Sequence, residues 1–343
     1  MKLSLALAVV LGCRAATEPV PAQTMAEYEA QLEALRAKYH IAGLSAIITK
    51  EQSIAWQKGF GVADIATNRA IIDSTVFHLA SLTKPFAATV VLQLVDEGKV
   101  SLDDPVSKYG IPLQAQGTIL VRHLLSHTSE GVPGTQYRYN GNRFSYVDSV
   151  IARADGRSTA EAIMARIVQP LQLTWIAPNI AAAGANPTTG FSAMVATGYV
   201  WNGSSYVQTA YPTHFSSAAG LMSSARAYAS FSMAIDRDAL LKPATKALAF
   251  APTRGPDGTE FPYGLGWFST TYKGERVIWH YGYWTANSSL IVKVPSRGLS
   301  FVLLANTDGL SSPFPLGSGQ LERSDFARLF LDAFLSKSPP PLP

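Results

Sequence analysis

The run Pro85-Phe-Ala-Ala-Thr-Val-Val-Leu-Gln-Leu-Val95 is apolar nearly all the way round a helical wheel. A helix without a polar face is surrounded by protein on every side. This one, predicted over 83–97 and stopped by Gly98, must therefore lie at the centre of a sizeable core, with its first turn inside as well. Proline at 85 suits a first turn, where its missing N–H costs nothing, and Ser81 falls at or just before the helix start, near the positive end of the backbone dipole. Ser81 and Lys84 are three apart and share a face. Burial and the positive helix end both disfavour the ammonium form, so the lysine pKa falls and the amine becomes a possible proton acceptor for the serine. A Ser-x-x-Lys spacing arises about once by chance in a chain of this length, and a capping serine beside a snorkelling lysine has the same spacing. What marks this pair is its place at the head of the most buried helix.

The rest of the chain can supply such a core. Of 343 residues 47% are hydrophobic and 15% charged, with 26 glycines and 21 prolines, the balance of a turn-rich globular enzyme with one large domain or two smaller ones. The net charge is +4 and the lysines and arginines are scattered singly, which argues against a nucleic-acid partner. An opening helix is predicted over 25–39, followed by strands over 43–50 and 54–62. Short helices are expected over 119–126 and from the capping box Ser158-Thr-Ala-Glu161 to Pro170. A loop-rich aromatic stretch, 198–215, precedes a helix over 218–235. Strands over 263–268, 277–281, 288–294 and 299–305 and a helix over 320–335 close the chain. This is an α+β pattern: one antiparallel sheet from both chain ends with flanking helices, residues 23–80 and 263–337, and a mostly helical insertion, 81–262. The tail 338–343 is expected to be unstructured.

The first 22 residues read as an export signal: Lys2 precedes an apolar run, 3–11, too short to span a bilayer. The only cysteine, Cys13, follows Val10-Leu11-Gly12 as in the lipobox of bacterial lipoproteins, and the other reading is an ordinary signal cut near Ala22. The expected location is periplasmic or secreted, with membrane contact only through a lipid on Cys13.

Ser81-Leu-Thr-Lys84 resembles the nucleophile motif of the serine beta-lactamase and penicillin-binding superfamily, and its surroundings resemble the class C beta-lactamase, DD-peptidase and esterase branch. Arg122-His-Leu-Leu-Ser-His-Thr-Ser129, Ala219-Gly-Leu-Met-Ser-Ser224, Tyr263-Gly-Leu-Gly-Trp267 and His280-Tyr-Gly282 follow in the order of that branch. The resemblance implies a beta-lactamase/transpeptidase-like fold and an acyl-enzyme formed on Ser81. Its oxyanion hole would use the backbone N–H groups of Ser81 and Tyr283. The second motif of the family, a tyrosine followed two residues later by asparagine, has Tyr139 as its candidate, with Tyr137 the alternative if the loop is shifted. Gly141 stands where the asparagine belongs, Asn140 one early and Asn142 one late; Asn140 is carried over. Two accounts of activation stay open: a protonated Lys84 stabilising a Tyr139 phenolate as the base, or a neutral Lys84 taking the serine proton directly.

In the third motif, His280-Tyr281-Gly282 replaces the Lys-Thr-Gly of class C beta-lactamases, which removes a fixed positive charge and makes antibiotic hydrolysis less expected. A histidine there suggests affinity for anions that rises as pH falls. Gly282 is expected to let substrate close to its strand, and Trp201, Tyr206, Tyr211, Tyr283 and Trp284 are candidates for an apolar pocket. The substrates implied are esters, small amides or D-amino-acid peptides; the alternatives are a class C beta-lactamase and a non-catalytic binding or sensing module. No cofactor or metal is expected. His123 and His127 lack the acidic residue between them that a metalloprotease helix requires, and Gly59-Phe-Gly61-Val-Ala-Asp64 lacks the third glycine of a dinucleotide loop.

Overall fold

In the computed structural model the two ends of the chain meet in one sheet; residues 23–179 and 190–343 are described. The strand Gly43–Lys50 runs antiparallel to Leu299–Ala305, from Leu44 opposite Ala305 to Lys50 opposite Leu299. Outward on one side follow Ser53–Asp64 and Arg69–Ala70; on the other follow Asn287–Val294, Glu275–Trp284 and Phe268–Tyr272, giving seven strands. Cys13 lies outside the described residues, and no helix among them is long and apolar enough to cross a membrane.

Strand periodicity assigns the two faces of this sheet. Leu44, Ala46, Ile48, Leu290, Val292, Phe301 and Leu303 point to one side, where they pack with Tyr28 and Leu32 of helix Met25–Lys38 and with Phe326, Phe330 and Phe334 of helix Asp325–Phe334. Ile47, Ile278, Ile291, Val302 and Leu304 point to the other, into a core shared with helices Lys84–Asp96, Val147–Asp155 and Ala225–Asp236. The Lys84–Asp96 helix is buried from Lys84 through Leu92, as its unbroken apolar run requires.

Several boundaries differ from the sequence expectation. The helix expected over 218–235 begins at Ala225, because Met222–Ser224 is a strand paired with Val76–His78 and Ile176–Ala177 in a separate small sheet. The helical insertion therefore carries its own strands, including the pair Tyr199–Trp201 and Tyr206–Gln208. Residues 263–267 are not a strand. Gly264 there leaves no room for a Cβ, which would sit 2.3 Å from the Ala249 carbonyl oxygen, and Gly266 at φ +84° turns the chain against Ala88. The tail has no regular structure, yet Pro340 is buried and Leu342 packs against the core beneath the terminal helices.

Candidate active site

The strand Val76–His78 leads through Leu79 into a tight turn, Ala80–Thr83, that continues directly as the Lys84–Asp96 helix. Ala80 holds φ +48°, a left-handed conformation that non-glycine residues adopt only at a cost of order 1–3 kcal/mol. Three hydrogen bonds hold it: Thr83 Oγ1 donates to Ala80 O at 2.8 Å, Leu221 N–H donates to Thr83 Oγ1 at 3.1 Å, and Ser289 Oγ donates to Leu79 O at 2.7 Å. The large sheet thus grips the turn from one side and the segment before Met222 from the other. Ser81, at the second position of the turn, is partly exposed.

Lys84 is 1% exposed. Its Nζ lies 2.8 Å from Ser81 Oγ and 2.9 Å from the Ala218 carbonyl oxygen, and no carboxylate pairs with it among the described residues. Burial alone lowers its pKa from 10.5 to about 7. The Tyr139 ring sits 5.1 Å from the amine and the Phe144 ring 5.5 Å. The Tyr139 hydroxyl is enclosed and has no well-aligned hydrogen bond. Burial pushes this phenol well above 10, the neighbouring Tyr281 adds to that, and Ser81 is close enough to pull slightly the other way. Both charges of an ammonium–phenolate pair are therefore disfavoured here; near neutral pH the amine is divided between its charged and neutral forms, beside a neutral phenol. Tyr137, the alternative, donates its hydroxyl to Gly317 O at 2.9 Å; Tyr139 is the phenol that faces the lysine.

Serine and lysine open into a cavity of about 150 Å³ whose wall includes His78, Gly141, Asn142, Ser145, His214 and Trp284. A larger groove, about 740 Å³, runs between the Met25–Lys38 and Asp325–Phe334 helices past Leu35 and Arg328; its serines and lysine, Ser336, Lys337 and Ser338, are exposed at its rim, without the burial that marks Lys84. Trp284 is the one aromatic of those expected to line a pocket that forms the cavity wall. Tyr283 stands half-exposed beside it, Tyr211 is buried, and Trp201 stacks on His40 at 4.1 Å.

Other expectations change in role. Asn140 caps helix Gly141–Phe144, accepting from Arg143 N–H at 3.1 Å and donating to Glu130 at 2.7 Å, so its amide is turned from the cavity; Asn142 is the asparagine that lines it. His280 is fully buried, with Nε2 2.9 Å from the Tyr263 hydroxyl and Nδ1 2.7 Å from Tyr281 O. Burial first, and then the Lys84 charge, hold it well below 6.5. It is a neutral, enclosed imidazole and no pH-gated grip on anions. Tyr281 packs its ring 5.6 Å from that of Tyr139 and lies outside the cavity wall. At Gly282 a Cβ would fall 2.2 Å from Leu79 O and 2.2 Å from Ser289 Oγ. The space this glycine keeps free is taken by the nucleophile turn, which brings the end of strand Glu275–Trp284 against Leu79 and Ala80. His123 and His127 each accept a backbone N–H at Nδ1, from Leu120 and Asn140, both at 3.1 Å.

Sequence reasoning passed over His78, Asn142, Ser145 and His214 as cavity residues. The signal for Asn142 was its place one residue late in the tyrosine–asparagine motif; His78 stands three residues before the nucleophile, and nothing local marks Ser145 or His214.

A beta-lactamase family model matches residues 28–319, and the chain belongs to this family of serine hydrolases. It is 24% identical over 334 residues to penicillin-binding protein 4* of Bacillus subtilis strain 168, a match that takes in 80% of this chain and 70% of that one. Over 103 residues it is 37% identical to esterase EstB of Burkholderia gladioli, 28% of this chain and 26% of the esterase. The fold matches that of an octameric penicillin-binding protein homologue from Pyrococcus abyssi with a TM-score of 0.77 at 22% identity, covering 90% of this chain and 78% of that one.

Proposed function

We propose that this protein is an exported hydrolase that forms an acyl-enzyme on Ser81 and acts on small esters first, with small amides or D-amino-acid peptides next. The observation that carries the reading is the 2.8 Å approach of a buried, carboxylate-free lysine amine to a hydroxyl that opens into a cavity. With its pKa near 7 the amine is substantially neutral at physiological pH, and its lone pair can take the Ser81 proton as Oγ bonds to the substrate carbonyl carbon. The carbonyl oxygen gains negative charge, which the N–H groups of Ser81 and Tyr283 would stabilise. Collapse breaks the bond to the leaving group, which takes a proton from Lys84 directly or through the Tyr139 hydroxyl. Water then repeats the sequence on the acyl-enzyme and restores Ser81. Small substrates suit the cavity volume, the likeness to an esterase favours esters, and the enclosed His280 supplies no fixed charge for the carboxylate of a beta-lactam. Export rests on the reading of the first 22 residues alone.

The test is labelling by a fluorophosphonate together with turnover of p-nitrophenyl acetate, nitrocefin and a D-Ala-D-Ala peptide. Wild type should label and hydrolyse the ester, and Ser81→Ala should lose labelling and at least about 1,000-fold in kcat/KM. Hydrolysis that survives in Ser81→Ala would remove the mechanism.

A further inference from the structure

We propose that His78 determines acyl specificity at this site, its Nε2–H donating a hydrogen bond to an oxygen acceptor on the acyl part of a short substrate. This rests on the reading of Ser81 as the acylated nucleophile. His78 ends the strand that leads into the nucleophile turn, is 1% exposed, and forms part of the wall of the Ser81 cavity. Its ring is held in place by a near-parallel stack on Tyr211, centroids 5.7 Å apart.

Its two nitrogens differ. Nδ1 lies 3.1 Å from Ala80 N and 3.2 Å from Asn287 Oδ1. A backbone N–H can only donate, whereas the two ends of an asparagine amide can be exchanged by a half-turn. Exchanging the Asn287 amide gives up the bond its Nδ2 donates to Thr285 O at 3.1 Å, but the Ala80 backbone N–H has no alternative orientation at all; Nδ1 therefore accepts from Ala80, and the ring proton sits on Nε2. That N–H is buried and has no partner. Buried donors are almost always paired, because leaving one unpaired forfeits its hydration without return; a ligand oxygen in the cavity would supply the missing bond. Burial holds the ring pKa at about 4, so at neutral pH it is an uncharged donor, suited to an ether, hydroxyl or carbonyl oxygen. The remaining wall is mixed, with Asn142, Ser145, His214 and Ser216 polar and Pro212, Ala218, Ala219 and Trp284 apolar. At about 150 Å³ the space is well below the ~300–1,000 Å³ of pockets for drug-sized ligands, and it suits an acyl group of a few heavy atoms.

The p-nitrophenyl esters of methoxyacetic and butyric acid test this, because their acyl groups are close in shape and differ by an oxygen in place of a methylene. The readout is the ratio of kcat/KM for the two on each enzyme, in which a general loss of reactivity cancels. His78→Asn keeps a side-chain oxygen two residues before the Ala80 N–H, the geometry of an Asx turn, and removes Nε2. Going from wild type to His78→Asn, the methoxyacetate-to-butyrate ratio should fall about tenfold or more. A ratio unchanged in a variant that still labels with fluorophosphonate overturns the proposal. Wild type alone provides a second check: its ratio should exceed that of hydroxide-catalysed hydrolysis of the same esters by about tenfold, and equality of the two overturns the proposal without any variant. Failure of the Ser81 reading itself would show separately, as hydrolysis that persists in Ser81→Ala.

Discussion

A lysine amine taken out of water is the costliest single group in this site, and its protonation should be visible in both activity and stability. If neutral Lys84 takes the serine proton, kcat/KM for a small ester should rise with pH through about 7 and level off above it. Stability should follow in the same direction. Between pH 7 and 10.5 the unfolded chain holds the proton that the folded chain has released, so folding becomes more favourable as pH rises; below 7 both states are protonated and the folded state bears the full burial penalty. The difference in unfolding free energy between wild type and Lys84→Met should therefore move in favour of wild type by about 2 kcal/mol from pH 7 to pH 9. Denaturation of both proteins at the two pH values measures it, and a constant difference would contradict the assignment. The two asparagines of the loop should part company in a similar way. Asn140→Ala should cost about 1 kcal/mol of stability through loss of the helix cap, more with the Glu130 contact, whereas Asn142→Ala should leave the melting temperature nearly unchanged and lower kcat/KM. Melting curves and ester kinetics on the pair check both halves.

At the level of elements, the site depends on how closely one strand approaches one turn. Gly282→Ala would drive a Cβ into Leu79 O and Ser289 Oγ, so the strand Glu275–Trp284 must move away from the nucleophile turn. The expected outcome is a loss of about 1–3 kcal/mol of stability, as for other overpacked sites, with a fall in kcat larger than the rise in KM, since the Tyr283 N–H proposed for the oxyanion hole would shift with the strand. Urea denaturation and steady-state kinetics report the two effects. Elements with a long, consistent pattern were legible in the sequence: the strands Gly43–Lys50 and Leu299–Ala305, the helix Met25–Lys38 and the capping box at Ser158 fall at or within a residue of their expected places. Short elements were not. Met222–Ser224 has three residues and owes its strand form to partners at 76–78 and 176–177, while Tyr263-Gly-Leu-Gly-Trp267 alternates like a strand but is bent by its glycines against Ala249 and Ala88. Local pattern cannot register a partner far away in the chain.

For the whole molecule, the sheet closes only when both chain ends are present, and the terminal helices then cover its outer face. Phe326, Phe330, Leu331 and Phe334 are buried there, with Phe330 4.8 Å from Phe301 and Phe334 5.2 Å from Tyr28. Burying four such side chains contributes roughly 6–12 kcal/mol, comparable with the ~5–15 kcal/mol that stabilises a typical domain. A chain ending at residue 320 should therefore fail to give soluble, cooperatively unfolding protein, which expression and circular dichroism would show. The sequence by itself determined the α+β plan, the two-faced strands and the buried helix headed by Ser81 and Lys84, because periodicity and burial are properties of neighbouring residues. Only the tertiary structure decided that Tyr139 faces the amine while Tyr137 binds Gly317, that Asn142 and not Asn140 reaches the cavity, and that His280 is enclosed while His78 keeps a free nitrogen beside the nucleophile. Each of those outcomes turns on which way a side chain points from a loop or strand end, and that direction is set by particular contacts that no periodicity encodes, from Glu130 for Asn140 to Gly317 for Tyr137 and Asn287 for His78.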